Sequence, residues 1–405
     1  MPTKRGARAA WHRPANAIVL GYLVATVGVA AYERSWPPPW LVTHVFLLGA
    51  TTNAIVIWTA HFATTLLPAP ARVGAASDRQ LPAALGALNV GVILVLMSAP
   101  HDATPGVVIG AAMITAAIGV RAAALVVMLS RAGVTRFGPV VRFYIAAAAA
   151  LVLGIAAGVT LEFGVSAAWY PRVYAAHVEL NVFGWIAFTV LGTQAAFWPM
   201  VLRTRIVSGT EVATNHALPL CAAGLLVIVT GLLSDSRVVA AAGICLYILG
   251  AIRALEPFAR TALQRAPRSP AALMLAAAMC WFLGGLAADL GKLVAARNLT
   301  EFAAAVSDFV PWLAAGFVVQ VLMGALTYLL PVVLGGGPLG GRRLSAVLDR
   351  YGLARMAAVN VGAGLVAATG GGAATAAGWA LIGLAVGGFC LLAAVAVATS
   401  RRGSP

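Results

Sequence analysis

The chain is short of charge. Of its 405 residues only 10% are Asp, Glu, Lys or Arg, and just 12 are acidic. A water-soluble domain of this length carries about 25% charged residues to cover its surface, so a soluble enzyme is excluded. No polar stretch is long enough to form a separate soluble domain, so any binding or chemistry belongs inside the apolar segments or on short loops. Cysteine is equally scarce. The four present, Cys221, Cys245, Cys280 and Cys390, fall singly on different apolar segments with no Cys-x-x-Cys or Cys-x-x-Cys-His spacing. They read as buried small hydrophobes rather than a disulfide, a metal site or a covalent haem attachment. No G-x-x-x-x-G-K-[ST] phosphate loop occurs, and the clusters Gly335-Gly336-Gly337-Pro338 and Gly370-Gly371-Gly372 read as turns. No strong internal repeat is visible, which weighs against an inverted-repeat transporter.

What the sequence has is apolar length. Hydrophobic residues make up 61% of the chain and its mean hydropathy is +0.93. At about 20 residues per membrane-spanning helix, twelve spans consume about 240 positions and leave little else. The pattern predicts an all-α integral membrane protein with spans at about 16–32, 40–67, 82–99, 104–130, 140–162, 172–200, 216–234, 237–254, 271–290, 307–334, 353–370 and 376–399. Residues 16–400 are then one transmembrane domain between short tails at 1–15 and 401–405. The N-terminal stretch lacks a small-residue cleavage site before Tyr32-Glu33-Arg34 and reads as a retained first span.

The net charge of +15 would point to nucleic acid in a soluble protein, but here its placement is a topology signal and no nucleic-acid partner is implied. Basic residues cluster in alternate gaps: Lys4 to Arg13, Arg72 and Arg79, Arg131 to Arg142, Arg203 and Arg205, Arg253 to Arg268, Arg342 to Arg355, and Arg401 with Arg402. The opposite gaps hold only Arg34, Arg172, Arg237, Lys292 and Arg297. The positive-inside rule therefore places both termini in the cytoplasm of a cell in whose plasma membrane the chain lies. Arg121, within the fourth span, is expected to snorkel toward the cytoplasmic surface.

Polar side chains at membrane depth are costly and mark candidate sites. His12 in the N-terminal tail, His101 in a short external loop and His216 at the cytoplasmic entrance of the seventh span are expected to be solvated. His44 enters about one turn below the outer end of the second span; His61 is about 25 Å further along, is rotated by about 100°, and cannot share a metal with it. His61 reads as interfacial. On the sixth span His177, Asn181, Gly184 and Phe188 share one helical stripe: an imidazole, a polar neighbour and a glycine that leaves room, a wall suited to a planar cofactor. The bland reading is that His177 and Asn181 hydrogen-bond a neighbouring helix. Glu179 points off that stripe and is either a proton or cation group or a residue reaching the outer interface. The tenth span has Gln320, Gly324, Thr327 and Pro331 in a line. Gln320 reads chiefly as an interhelical hydrogen bonder, with Pro331 bending the helix. Neutral imidazole ligates haem iron and copper, which makes His44 and His177 the candidate ligands. No residue set reads as catalytic.

The layout of twelve helices, with ligand-type histidines near the outer end of the second span and on the sixth, resembles the catalytic subunit of haem-copper oxidases and their nitric oxide reductase relatives. More closely, His177-Val-Glu-Leu-Asn181-Val-Phe-Gly184-Trp185 through Thr189, Gly192-Thr193, Trp198-Pro199-Met200 and Leu202-Arg203-Thr204-Arg205 resembles a polytopic membrane region of actinobacterial proteins. In some of those, this region is fused to a copper nitrite reductase or multicopper oxidase module. The stretches His44 to Phe62 and Gln320 to Pro338 fit the same pattern. The resemblance implies an oxidase-like bundle, haem b or copper at His44 and His177, Asn181, Gly184 and Gln320 around the cofactor, and an extracytoplasmic copper protein as redox partner. It also has gaps: the seventh span ends Thr230-Gly231-Leu-Leu-Ser-Asp235 with no histidine pair, and the tenth presents Gln320, so a complete binuclear centre is not encoded. The implied function is a reduced, single-haem or single-copper module for respiratory or nitrogen-oxide electron transfer, or for sensing a diatomic gas. The alternative is a cofactor-free transporter or scaffold, with Glu179, His177, Asn181 and Gln320 lining a path or joining helices.

Overall fold

A computed structural model describes residues 4–32 and 39–402. Arg34 and the extreme ends of both predicted tails lie outside the described residues. Among those described there is no strand, and twelve helices are long and apolar enough to cross a membrane. We number them spans 1 to 12: Trp11–Ala31, Trp40–Leu66, Val73–His101, Thr104–Ala132, Gly138–Glu162, Tyr170–Val201, Thr210–Leu233, Arg237–Gln264, Pro270–Ala295, Leu299–Leu334, Gly352–Thr369 and Gly372–Thr399. With no water in the hydrocarbon to satisfy backbone groups, helix is the expected form for such segments. This is a multi-pass membrane protein, and large side chains such as Leu226, Leu384 and Leu391 are left exposed for lipid.

All twelve expected spans are present. Their ends shift where a helix continues past its apolar core: span 3 begins at Val73 and includes Asp78 and Arg79, and span 10 begins at Leu299 and includes Glu301. The first helix already starts at Lys4, within the expected tail, and His12 is buried against Trp11 rather than solvated, with ring centroids 3.8 Å apart. Cys221 and Cys390 are buried as expected, whereas Cys245 and Cys280 are exposed, because their helix faces are turned outward.

The chain divides into two compact units. One comprises Met1–Ala54, Pro267–Gly284 and Asp308–Pro405; the other comprises Ile55–Ala266 and Gly285–Ser307. In the first, spans 11 and 12 meet where Gly362 and Gly378 face each other, and a Cβ on either would lie 2.6–2.7 Å from the other's carbonyl oxygen. A short helix, Pro338–Leu348, buries Leu344 and Leu348 and turns Arg342 and Arg343 outward. In the second unit the same glycine pairing joins spans 3 and 4 (Gly91, Gly110) and spans 7 and 8 (Gly224, Gly243). Small residues let helix backbones approach and gain dispersion contacts that lipid does not offer.

Spans 2, 6 and 10 are the most enclosed, with 61%, 89% and 72% of their apolar windows buried, against 50% or less for every other span. Each contains a π-helical segment, Val45–Thr51, Leu180–Ile186 and Ala314–Val319, and these are the three π segments among the described residues. Each segment includes one glycine whose missing Cβ is replaced by a side chain of the preceding span. The Tyr22 ring lies over Gly49, Ala150 over Gly184, and the Trp281 ring over Gly316. An internal repeat, which inspection of the sequence does not reveal, is thus present as a packing device that recurs every four spans.

Candidate functional site

Span 6 carries the site. It is α-helical from Tyr170 to Glu179 and π-helical from Leu180 to Ile186. π segments are rare and frequently occur at functional sites. His177, Asn181 and Gly184 do share a face, and that face is packed on span 5. Gly158 lies beneath the His177 ring, where a Cβ would be 3.0 Å from Cε1; Gly154 sits under Asn181, where a Cβ would be 2.6 Å from the amide nitrogen. The clearance expected at Gly184 is filled: a Cβ there would be 2.5 Å from the Ala150 Cβ and 3.0 Å from a Leu225 methyl. Gly184 is therefore a helix-contact residue. The reason is visible only in three dimensions, since the glycine's open side meets a small residue of span 5.

His177 Nδ1 lies 2.9 Å from the Gly154 carbonyl oxygen. A carbonyl only accepts, so Nδ1 carries the proton and Nε2 is the lone-pair nitrogen of the neutral ring. The Asn181 amide donates to the His177 carbonyl at 2.7 Å, fixing its own orientation beside the ring. His44, in the other unit, is held the same way, with Nδ1 donating to the Trp40 carbonyl at 2.7 Å and the ring stacked on Trp40 at 4.3 Å. Backbone anchoring of Nδ1 is what orients a histidine whose Nε2 binds a metal. Among the described residues no three His, Cys, Asp or Glu side chains form a metal-binding group, so any centre at these histidines would have few protein ligands of those types. Haem iron needs only one or two axial ligands, and copper at either imidazole would need further donors.

Gln320 is bound into a helix contact. Its amide nitrogen donates to the Gly316 carbonyl at 2.7 Å, and its carbonyl accepts from Asn360 of span 11 at 3.0 Å. Trp281 of span 9 donates to the Asn360 carbonyl at 2.8 Å. Arg121 reaches the first turns of span 3. Its guanidinium is buried and donates to the carbonyl and hydroxyl of Ser77 at 2.9 and 3.0 Å, because span 3 runs on past the apolar core and offers those acceptors.

The residue missed in the sequence is Asp289. It is fully buried on span 9, six residues from its end at Ala295, and its carboxyl is within hydrogen-bonding reach of Glu179, itself fully buried on span 6. Glu179 thus does not reach the interface. None of the four carboxyl oxygens meets a donor group. Tyr247 of span 8 feels the charge of Glu179 but donates its hydroxyl proton to the Phe183 carbonyl at 2.6 Å. The available sequence signal was an aspartate in the apolar run from Trp281 to Leu293, since an acid at membrane depth is a site candidate by itself.

The fold and these buried groups define an all-α polytopic membrane protein with polar side chains concentrated in its most enclosed spans. No protein-family model and no curated protein matches the chain.

Proposed function

We propose that the chain is a haem- or copper-binding protein of the plasma membrane, with both termini cytoplasmic, that serves respiratory or nitrogen-oxide electron transfer and hands electrons to or from an extracytoplasmic copper protein. The observation that carries this reading is the common anchoring of His44 and His177, each with Nδ1 tied to a main-chain carbonyl. Such a bond fixes the tautomer, aims Nε2 and raises its basicity as a ligand. A bound haem iron or copper would supply one-electron chemistry. The chain's own part is to hold the ligands: the Gly154 carbonyl positions the His177 ring, Asn181 lies beside it, and Gly158 leaves room for it. The resemblance on the sixth span and the alternation of basic loops support the same reading.

The test is spectroscopic. The full chain, expressed with haem precursor and purified in mild detergent, is expected to show a dithionite-reduced minus oxidised haem difference spectrum or stoichiometric copper. His177→Ala and His44→Ala should each diminish or abolish it. A Soret band that survives both substitutions would refute the assigned ligands. A second reading, a cofactor-free transporter or scaffold, is favoured by the filled clearance at Gly184 and by the engagement of Gln320 with Asn360. It predicts neither chromophore nor metal in the same preparation.

A further inference from the structure

We infer that the connection between spans 10 and 11 binds the phosphate group of an anionic phospholipid through Arg342, Arg343 and Arg350. This goes beyond the cofactor reading and does not depend on it. Span 10 ends at Leu334, a short helix occupies Pro338–Leu348, and span 11 begins at Gly352, which leaves three residues on either side of the short helix. Three residues reach at most about 10 Å, and the headgroup layer adds about 5–7 Å to each face of the hydrocarbon. Packing holds the short helix closer still. A Cβ on Gly335 would lie 2.5 Å from the Gly341 backbone nitrogen, so its first turn rests on the end of span 10. Its other end rests on span 11, where the Arg355 guanidinium donates to the Leu348 carbonyl and lies 5.6 Å from the centre of the Phe389 ring of span 12. The short helix is therefore fixed at the level of the lipid headgroups.

That helix is amphipathic. Leu344 and Leu348 are buried, while Arg342, Arg343 and the following Arg350 are exposed. Leu339 and Tyr351, 69% and 77% exposed at its two ends, are the apolar and aromatic groups that seat at the boundary of headgroups and acyl chains. No carboxylate neutralises the cluster. Asp349 is the one acid between Pro338 and Arg355, and none of the ion pairs among the described residues includes Arg342, Arg343, Arg350 or Arg355. The Arg355 Nε and Nη1 are buried without an acceptor, so this guanidinium adds a fixed positive charge beneath the end of the helix. The planar fork of arginine matches the oxygens of a phosphate. Each basic residue at an anionic membrane surface strengthens the attraction about fivefold, so three exposed arginines together supply about 100-fold. A lipid is favoured over a soluble anion because it is already confined to the layer in which the arginines lie, which raises its effective concentration there.

Native mass spectrometry of the full chain in mild detergent tests this, with phosphatidylglycerol and phosphatidylcholine of identical acyl chains as probes. The wild type should bind phosphatidylglycerol more tightly than phosphatidylcholine by about tenfold or more. Arg342→Gln, Arg343→Gln and Arg350→Gln, made together, change only exposed side chains and should remove that preference. A charge-matched variant with Arg131→Gln, Arg136→Gln and Arg205→Gln, all exposed in other basic segments, should retain it. Equal binding of the two lipids by the wild type overturns the proposal, as does survival of the preference in the first triple variant. Equal loss of the preference in both triple variants would make it a property of net charge and overturn the site. Displacement of phosphatidylglycerol by inorganic phosphate, against chloride at the same ionic strength, would make this a site for a soluble anion and overturn the lipid assignment.

Discussion

Replacing Gly184 by alanine and Ala150 by glycine, singly and together, tests whether the span 6 stripe is a helix contact or a clearance for a cofactor. The Cβ of Gly184→Ala would lie 2.5 Å from the Ala150 Cβ. Favourable carbon contacts begin at about 3.5 Å, so the two groups overlap by about 1 Å. Ala150 cannot turn away because its Cβ is fixed to the backbone, so span 5 must move. Overpacking of this kind costs about 1–3 kcal/mol. Alanine is the better helix former by about 1 kcal/mol, so the single variant loses about 0–2 kcal/mol net. Ala150→Gly alone removes a contact and helix propensity and loses about 1 kcal/mol. In the double variant the propensity terms cancel from the cycle, and only the Leu225 methyl, 3.0 Å away on a flexible side chain, has to give. A coupling of about 1–3 kcal/mol in favour of the double variant is expected, measured by equilibrium unfolding in mixed micelles. Additivity to within about 0.5 kcal/mol would refute the packing argument. If Gly184→Ala instead abolished a haem signal that Ala150→Gly failed to restore, the glycine would serve a cofactor after all.

Other substitutions separate competing readings in the same way. Asn360→Leu should cost more than Gln320→Leu, about 1–3 kcal/mol against about 1 kcal/mol in unfolding, because it leaves both the Gln320 carbonyl and the Trp281 N–H unpaired. Arg121→Lys should lose about 1.5–3 kcal/mol by giving up the two-point clamp on Ser77; an arginine without a specific partner would tolerate the change without measurable loss. The Arg172–Asp235 pair, 2.8 Å long with Asp235 half exposed, should contribute no more than about 1 kcal/mol, and added salt should abolish the difference between wild type and Asp235→Asn.

Much of this architecture could be read from the linear sequence, for a physical reason: a bilayer imposes a minimum apolar length, and twelve segments meet it. The errors lie where hydropathy stops being the controlling quantity. Span 3 continues through Asp78 and Arg79, since a helix can extend beyond the hydrocarbon with its charges in the headgroup region, and this brings Ser77 within reach of Arg121. The stripe of His177, Asn181 and Gly184 follows from helical periodicity. The neighbour that fills it does not, because Gly154, Gly158 and Ala150 are three among many small residues of span 5. Asp289 shows the same limit. Its burial depth is implied by its position in an apolar run, whereas its partner lies on a span far away in the sequence.

The packing device that recurs every four spans explains why the candidate residues occur where they do. In spans 2, 6 and 10 a π segment exposes a glycine that the preceding span covers, and spans 3–4, 7–8 and 11–12 are joined through facing glycines. Repetition of backbone contacts, carried by residues with little or no side chain, leaves almost no trace in an alanine- and glycine-rich sequence, which is why inspection misses it. The second span of each set is also the one most shielded from lipid, so polar groups can be kept there at the lowest cost of exposure to hydrocarbon. The three sets use that shelter differently. Span 2 holds an imidazole and, four residues beyond its glycine, Asn53, whose amide donates to the Gly49 carbonyl at 2.9 Å. Span 10 repeats the amide device with Gln320 and the Gly316 carbonyl but has no imidazole. Span 6 alone combines an anchored histidine with a buried carboxyl paired to another span. A scaffold requirement common to all three would have produced like residues in all three, so the difference points to span 6 as the place where this bundle departs from mere packing.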